Sequence, residues 1–330
     1  MLDMAGDPVA VPLRIERIAT LGSVPVLNSL VFAVGAGPLL VNGLPEFARK
    51  PRWGYQTVFA PHLAALPPLQ GADYAPNMEA LIRAAPDVVL TMERAGAQRL
   101  RRAGIPALYL SWRQPEDAKA AVRLLGELLG RQAAAERYAA AFDATLAAVE
   151  TALRGVSERP RVLFLNPSRM STPLLIAEWW IRAAGGDSVT DDGRIVESRG
   201  ITIEQVLAWD PDILVVASRE EAAAVRAEPR FAALRAVRAG RMLVTPCGAH
   251  PWGHRTAEQP LTVLWAAQHF HPARFGDVDL VAEMQRFYRD LFGSELTAAQ
   301  AREILDGGPR GAPGDARLPI EPISHKGEAP

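Results

Sequence analysis

The sequence predicts an α/β protein made of two doubly wound parallel-sheet lobes bridged by a single long α-helix. Three observations carry that expectation. Short apolar strands alternate with helices, one helix–strand pattern occurs twice, and an Ala- and Leu-rich helical stretch separates the two copies. Size agrees, because 330 residues exceed what one hydrophobic core usually organises.

The first strand is expected at residues 17–21, followed by Gly22-Ser23 and a helix over 25–34. Residues 39–42 look like a short second strand. Residues 45–76 are rich in Pro and aromatics, with Trp53, Tyr55, His62 and Tyr74, and show weak periodicity. Then come a helix (77–84), a buried strand (87–92), a helix (95–103) and a strand (107–112). These strands are apolar on successive residues, as expected where helices cover both faces of a parallel sheet.

Residues 115–156 form the longest helical region, interrupted near Gly130, with Leu124, Leu125, Leu128 and Leu129 at helical spacing. The alternation resumes with strands at 161–165, 212–217 and 241–245 and helices at 174–184 and 231–239. Three helices follow, near 259–270, 279–292 and 297–305. From 307 to 330 the chain is rich in Gly, Pro and charge without periodicity, so a disordered tail is expected. The division is therefore an N-terminal lobe (13–115), a bridging helical region (116–158), a C-terminal lobe with its closing helices (159–306) and the tail.

The repeat aligns 77–90 with 202–215 without a gap, pairing Glu79 with Glu204, Pro86 with Pro211 and Asp87 with Asp212. Each copy encodes a short helix, a Pro-Asp corner that ends it, and a buried strand.

Composition excludes several classes. A formal net charge of -1 leaves no broad basic field to collect phosphates, so nucleic acid is not a partner. No apolar run approaches about 18 residues, so nothing spans a membrane. Cys247 stands alone, which excludes an intrachain disulfide and a multi-cysteine cage but leaves one thiol open to a mixed metal site. The nucleophile elbow, the phosphate-binding loop and the dinucleotide fingerprint are all missing, so an enzyme is not expected. Residues 1–12 lack the regions of a secretory signal; either the protein is cytoplasmic or a signal was removed.

In parallel sheets, ligands collect beyond the carboxyl ends of the strands. That rule nominates 22–28, 92–94 and 112–113 in the first lobe, and 166–170, 218–219 and 245–255 in the second. Asn28 and Glu93 lie in these loops. Arg94, Arg113, Arg169, Arg199, Arg219 and Arg255 offer forked donors to carboxylate, catecholate or oxyanion groups. Tyr74, Trp112, Trp179 and Trp252 are candidates to line a flat chelate. His250 and His254, with Cys247 just before them, could reach one metal ion. The alternative is two loop histidines and a buried structural cysteine. His269 and His271 are expected to be structural, His62 is unplaced, and His325 falls in the tail.

The paired Glu-x-x-x-x-x-x-Pro-Asp segments, the helix between them and Pro-Trp-Gly at 251–253 together resemble the metal-complex-binding proteins of ABC importers for ferric siderophores, cobalamin and haem. The resemblance covers about residues 14–292. It implies an extracytoplasmic, periplasmic solute-binding protein, with or without a lipid anchor, that acts as a monomer. It also implies no intrinsic cofactor, an iron-siderophore-like or other metal chelate as cargo, and delivery to an ABC permease dimer in the inner membrane. Glu79 and Glu204 match the surface glutamates that meet arginines of the permease; read without the resemblance, they are ordinary first-turn carboxylates. Residues 28–35 and 41–45 resemble a subgroup that also takes nickel chelates and metal oxyanions. Two alternatives remain open here: a binder of nickel or another transition metal, free, simply chelated or as an oxyanion, through His250 and His254; and a cytoplasmic two-lobed enzyme such as a chelatase.

Overall fold

The computed structural model describes residues 1–310. The first lobe is built on β1 (Ile18–Leu21), β2 (Val88–Thr91) and β3 (Ala107–Tyr109), parallel and adjacent in that order. Every residue of β1 and β2 is buried, which explains their unbroken apolar character. The second lobe contains β4 (Arg161–Phe164), β5 (Ser171–Pro173), β6 (Asp187–Ser188), β7 (Ser198–Gly200), β8 (Ile213–Val216) and β9 (Met242–Val244). Its main sheet is parallel in the order β6-β4-β8-β9, while β5 and β7 form a separate antiparallel pair. The two-lobed α/β class predicted from sequence is therefore present.

The repeat is structural. Asn77 caps helix Met78–Ala84 by accepting the N–H of Ala80, and Thr202 caps helix Ile203–Trp209 by accepting that of Gln205. Both helices end on a left-handed residue, Ala85 (φ 41) and Asp210 (φ 38). Asp87 then accepts the N–H groups of Glu16 (2.7 Å) and Arg17 (2.9 Å), and Asp212 accepts that of Arg161 (2.9 Å). In each lobe the Asp of the Pro-Asp corner thus pins the start of the neighbouring strand.

The bridge differs from the expectation. It is two helices, Pro115–Leu128 and Gln132–Ala152, rather than one. Gly130 takes the left-handed conformation (φ +65) that ends the first helix. Gly126 lets the pair approach, since a Cβ there would come within 2.7 Å of the Ala135 methyl. Ion pairs Lys119–Asp143 and Arg123–Glu136 join the two along their exposed flank. Tyr138 and Phe142 face inward, in an apolar cluster that runs without interruption through both lobes.

Other elements also depart from the sequence reading. Residues 39–42 make one bridge, Leu40 to Ile18, instead of a strand; the Asn42 side chain takes over, accepting the N–H of Thr20 at 2.8 Å. The helix expected over 279–292 is Leu280–Phe287 continued by a π-turn, Tyr288–Phe292. Helix Arg219–Ala227 was not expected. Of the expected tail, 307–310 are described, with Gly307 and Gly308 buried; residues 311–330 lie outside the described residues. Among the described residues no helix is long and apolar enough to cross a membrane.

Candidate functional site

Within the irregular first-lobe stretch 45–76, Arg52, Trp53 and Gln56 reach residues that follow β8 and β9: Ala217, Cys247, Ala249 and His250. Buried Glu258 organises the loop 245–258. It accepts the N–H groups of Ala249 (2.9 Å) and His250 (3.2 Å), the Thr256 hydroxyl (2.6 Å) and the Tyr288 hydroxyl. Burial pushes its carboxyl above the usual range, while these donors oppose the shift. Gly248 packs so closely on it that any Cβ would overlap Glu258 and Tyr288.

So held, the loop presents His250 and His254, half-buried, with ring centroids 6.1 Å apart. Burial is the main force lowering both imidazoles. The neighbouring His254, Arg52 and Arg255 push His250 further down, and Arg52 and Arg255 help bring His254 to about 4. Both rings are therefore neutral at pH 7, each with a free lone pair. Cys247 does not join them. Burial raises its thiol to about 11, and the S–H donates to the Arg52 carbonyl at 3.2 Å.

The first lobe contributes Arg52 and Trp53. Arg52 reaches across to donate Nη2 to the Ala217 carbonyl at 2.7 Å. The Nε atoms of Arg52, Arg199 and Arg255 are all buried with no acceptor among the described residues. Trp53 packs 5.1 Å from His250 and belongs to a file of rings that starts at the exposed rim. Tyr74 to Phe47 is 5.6 Å, Phe47 to Trp53 6.2 Å, and His254 to Phe164 5.3 Å. Tyr74 holds a left-handed backbone (φ 64), a strained state for a non-glycine residue.

Of the residues nominated from sequence, His250, His254 and Arg255 share the loop 245–258, while Tyr74 lies at the far end of the row of rings, through Phe47 and Trp53. Arg255 also pairs with Glu197 at 2.5 Å. Arg199 pairs with Asp192 (2.8 Å) and lies over the Trp209 ring. Arg219 turns to the Gly308 carbonyl at 3.1 Å. Arg94 is neutralised by Asp7 on the first lobe's surface, where Glu93 and Arg113 are also exposed; Arg169 is exposed on the second lobe.

Three nominations lie in the interior, Asn28, Trp112 and Trp252, and a fourth, Trp179, is half-buried. Asn28 is 0 % exposed, with its amide engaged by Thr20 and Gln56. Trp112 and Trp252 are core residues beneath the site, and Trp179 stacks on Phe142 of the bridge. Glu79 and Glu204 occupy the same first-turn position of the two repeat helices, and both are exposed. Glu79 pairs with Arg83; hydrogen bonds from its own amide and from Thr202 lower Glu204.

Sequence reasoning missed Arg52, Trp53, Phe47, Phe164 and Glu258. The aromatic density of 45–76 was the one available signal for Phe47 and Trp53. Nothing in the spacing marks Glu258.

Known proteins agree with this architecture. A relative described as the molybdate-binding protein MolA, from Haemophilus influenzae, is 23% identical over 250 residues, covering 66% of this chain and 70% of that protein. The structure of MolA bound to molybdate superimposes with a TM-score of 0.79 at 20% identity, covering 90% of this chain and 98% of that one. A periplasmic solute-binding protein from Veillonella parvula matches with a TM-score of 0.79 at 23% identity, covering 92% and 95%. Helicobacter pylori CeuE with Ni(II) bound matches with a TM-score of 0.75 at 19% identity, covering 92% and 99%. The pattern of one family, described as periplasmic binding protein, matches residues 32–247, more than half of the sequence. The chain belongs to that periplasmic binding protein family.

Proposed function

We propose that this chain is the periplasmic cargo-binding component of an ABC importer, and that its cargo is a small metal species: an oxyanion, or a transition metal with a compact chelator. The family binds rather than catalyses, so the chelatase alternative falls. The observation that carries the proposal is the pair of neutral imidazoles, His250 and His254, beside Arg52 and Arg255 where the lobes meet. Neutral imidazole suits a transition metal, and a guanidinium fork suits the oxygens around one. Among the described residues no group of three or more His, Cys, Asp or Glu is placed to hold a metal ion. A metal held here would keep oxygens or chelator atoms of its own.

Width favours the small cargo over a cobalamin- or haem-sized one. Arg52 already spans the gap to Ala217, and a broad chelate would have to displace it. The molybdate-binding relative and the Ni(II)-bound structure support the same reading. A flat siderophore-type chelate has one specific observation in its favour, the rings of Tyr74, Phe47 and Trp53.

Contacts from Arg52 on one lobe and the histidines on the other would favour the closed form, and that difference in affinity drives capture. Glu79 and Glu204, exposed at equivalent places, would then meet cationic side chains of the permease.

Calorimetric titration with molybdate, and with Ni(II) with or without histidine, in two buffers of different ionisation heat tests this. A hydrogen-bonded oxyanion draws protons onto the imidazoles, whereas a metal held by their lone pairs takes up none. The His250→Ala, His254→Ala double variant should lose about a hundredfold in affinity. Undiminished binding of both probes by that variant would remove the histidines from the site. Tight binding of a ferric catecholate alone would restore the siderophore reading.

A further inference from the structure

Helix Ala298–Leu305 and the residues after it touch both lobes beside the cleft. From the first lobe, the Tyr55 hydroxyl contacts the Gln300 carbonyl (2.9 Å) and the Glu303 carboxylate (2.8 Å). From the second, the Cys247 N–H donates to the Ile304 carbonyl at 3.0 Å. The chain then folds back, with the Gly307 N–H on Ile304 (2.9 Å) and the Gly308 N–H on Glu303 (3.0 Å).

Gly308 fills a slot between the lobes. A Cβ there would lie 2.8 Å from the Arg52 carbonyl oxygen and 3.2 Å from Cys247 Cβ, and its φ of +91 disfavours any side chain. Arg219 of the second lobe donates to the Gly308 carbonyl at 3.1 Å, and Pro309 rests against Gly54 of the first. Arg52 is therefore restrained at its guanidinium by Ala217, at its carbonyl by Cys247, and along its backbone by Gly308.

We infer that residues 307–309, clamped by Arg219, form a strap that positions Arg52 and sets the separation of the lobes at the cleft without touching the cargo. The stretch that carries Arg52 and Trp53 has only single 3₁₀ turns, Glu46–Ala48 and Pro51–Trp53, which hold a backbone weakly. The strap supplies the missing restraint. Fixing a binding group before the cargo arrives lowers the ordering cost of binding. Arg219 and Gly308 are thus positioning residues, a role that rests on the cleft being the cargo site.

The test is an inter-lobe distance together with an off-rate. Cys247 is buried, so spin labels on Arg83→Cys and Ala208→Cys, exposed and equivalent on the two repeat helices, attach selectively. In the full chain, Gly308→Val and Arg219→Met should each broaden the distance distribution measured by pulsed electron paramagnetic resonance without cargo. The off-rate of molybdate or Ni(II)-histidine should rise about tenfold. Arg219→Met leaves the glycine backbone intact and decides the matter if Gly308→Val fails to fold. An unchanged distribution in Arg219→Met overturns the strap, as does a broadened one with an unchanged off-rate. If the parent chain binds neither probe, the cargo reading fails, and the cargo-free distances alone decide for or against the strap.

Discussion

The two lobes share their scaffold and differ in what they bring to the cleft. In each, a capped short helix ends on a left-handed residue, and an Asp ties down the start of the neighbouring strand: Asn77, Ala85 and Asp87 in one, Thr202, Asp210 and Asp212 in the other. The cleft-facing loops have no such correspondence. The first lobe offers an irregular stretch with Arg52 and a row of rings, whereas the second offers two histidines on a loop wound around a buried carboxylate. Repetition preserves what ties down the start of a strand; the loops beyond the strands' carboxyl ends diverge.

The largest effects should come from the glycines that pack each cleft-facing loop. A Cβ at Gly43 would overlap the Leu66 carbonyl, and one at Gly248 would overlap Glu258. Gly43→Ala and Gly248→Ala are each expected to lose about 3 kcal/mol in chemical denaturation, with cargo binding lost in both. Retained stability in only one would show that the two loops are not equally pinned.

Next come the repeated aspartates. Asp87→Ala and Asp212→Ala each orphan backbone N–H groups at a strand start, and about 1–2 kcal/mol is expected for each. Similar losses would sharpen the view of one device used twice, and a large inequality would break it.

Acid should separate the lobes by a smaller margin. The unfolded chain protonates His254 near its ordinary 6.5, while the folded protein resists until about 4. The stability this group contributes is complete above 6.5 and drains away as pH falls towards 4; His250, also lowered, acts in the same sense. Glu258, raised by burial, acts in the opposite sense. The loss between pH 7 and pH 5 should therefore shrink in the His250→Ala, His254→Ala variant, compared by thermal denaturation at the two pH values. Hydrogen exchange should show loop 245–258 loosening before β1 and β2.

The smallest effect is expected at Glu79→Ala and Glu204→Ala, within about 0.5 kcal/mol of the parent, as usual for exposed residues. If the proposed docking role holds, both substitutions should lower transport while leaving stability within that margin.

The strands, the order of elements and the repeat were legible because burial on both faces writes itself as apolar runs and Pro-Asp corners. The break at Gly130 was also visible, but its consequence was not. Whether a glycine ends a helix or merely weakens it depends on what packs alongside, here Ala135 against Gly126. Of the candidate site, His250, His254 and Arg255 could be nominated because they follow a strand end, and Tyr74 because it is an aromatic just ahead of the first repeat. Arg52 and Glu258 could not, because their roles come from contacts with Ala217 and Tyr288, far away in sequence. Trp112 and Trp252 lie in the interior, because a tryptophan near a strand end is as useful for filling a core as for meeting a ligand.

The row of rings gives the molecule a built-in optical probe. The Trp53 indole lies against His250 and is half-exposed, as Trp179 and Trp209 are elsewhere, whereas Trp112, Trp180, Trp252 and Trp265 are sealed in the interior. Protonating or metallating that imidazole would alter what quenches its neighbour, so if His250 meets the cargo, a change in Trp53 emission would report occupancy without an attached dye. A Trp53→Phe protein, dark at that position, supplies the blank.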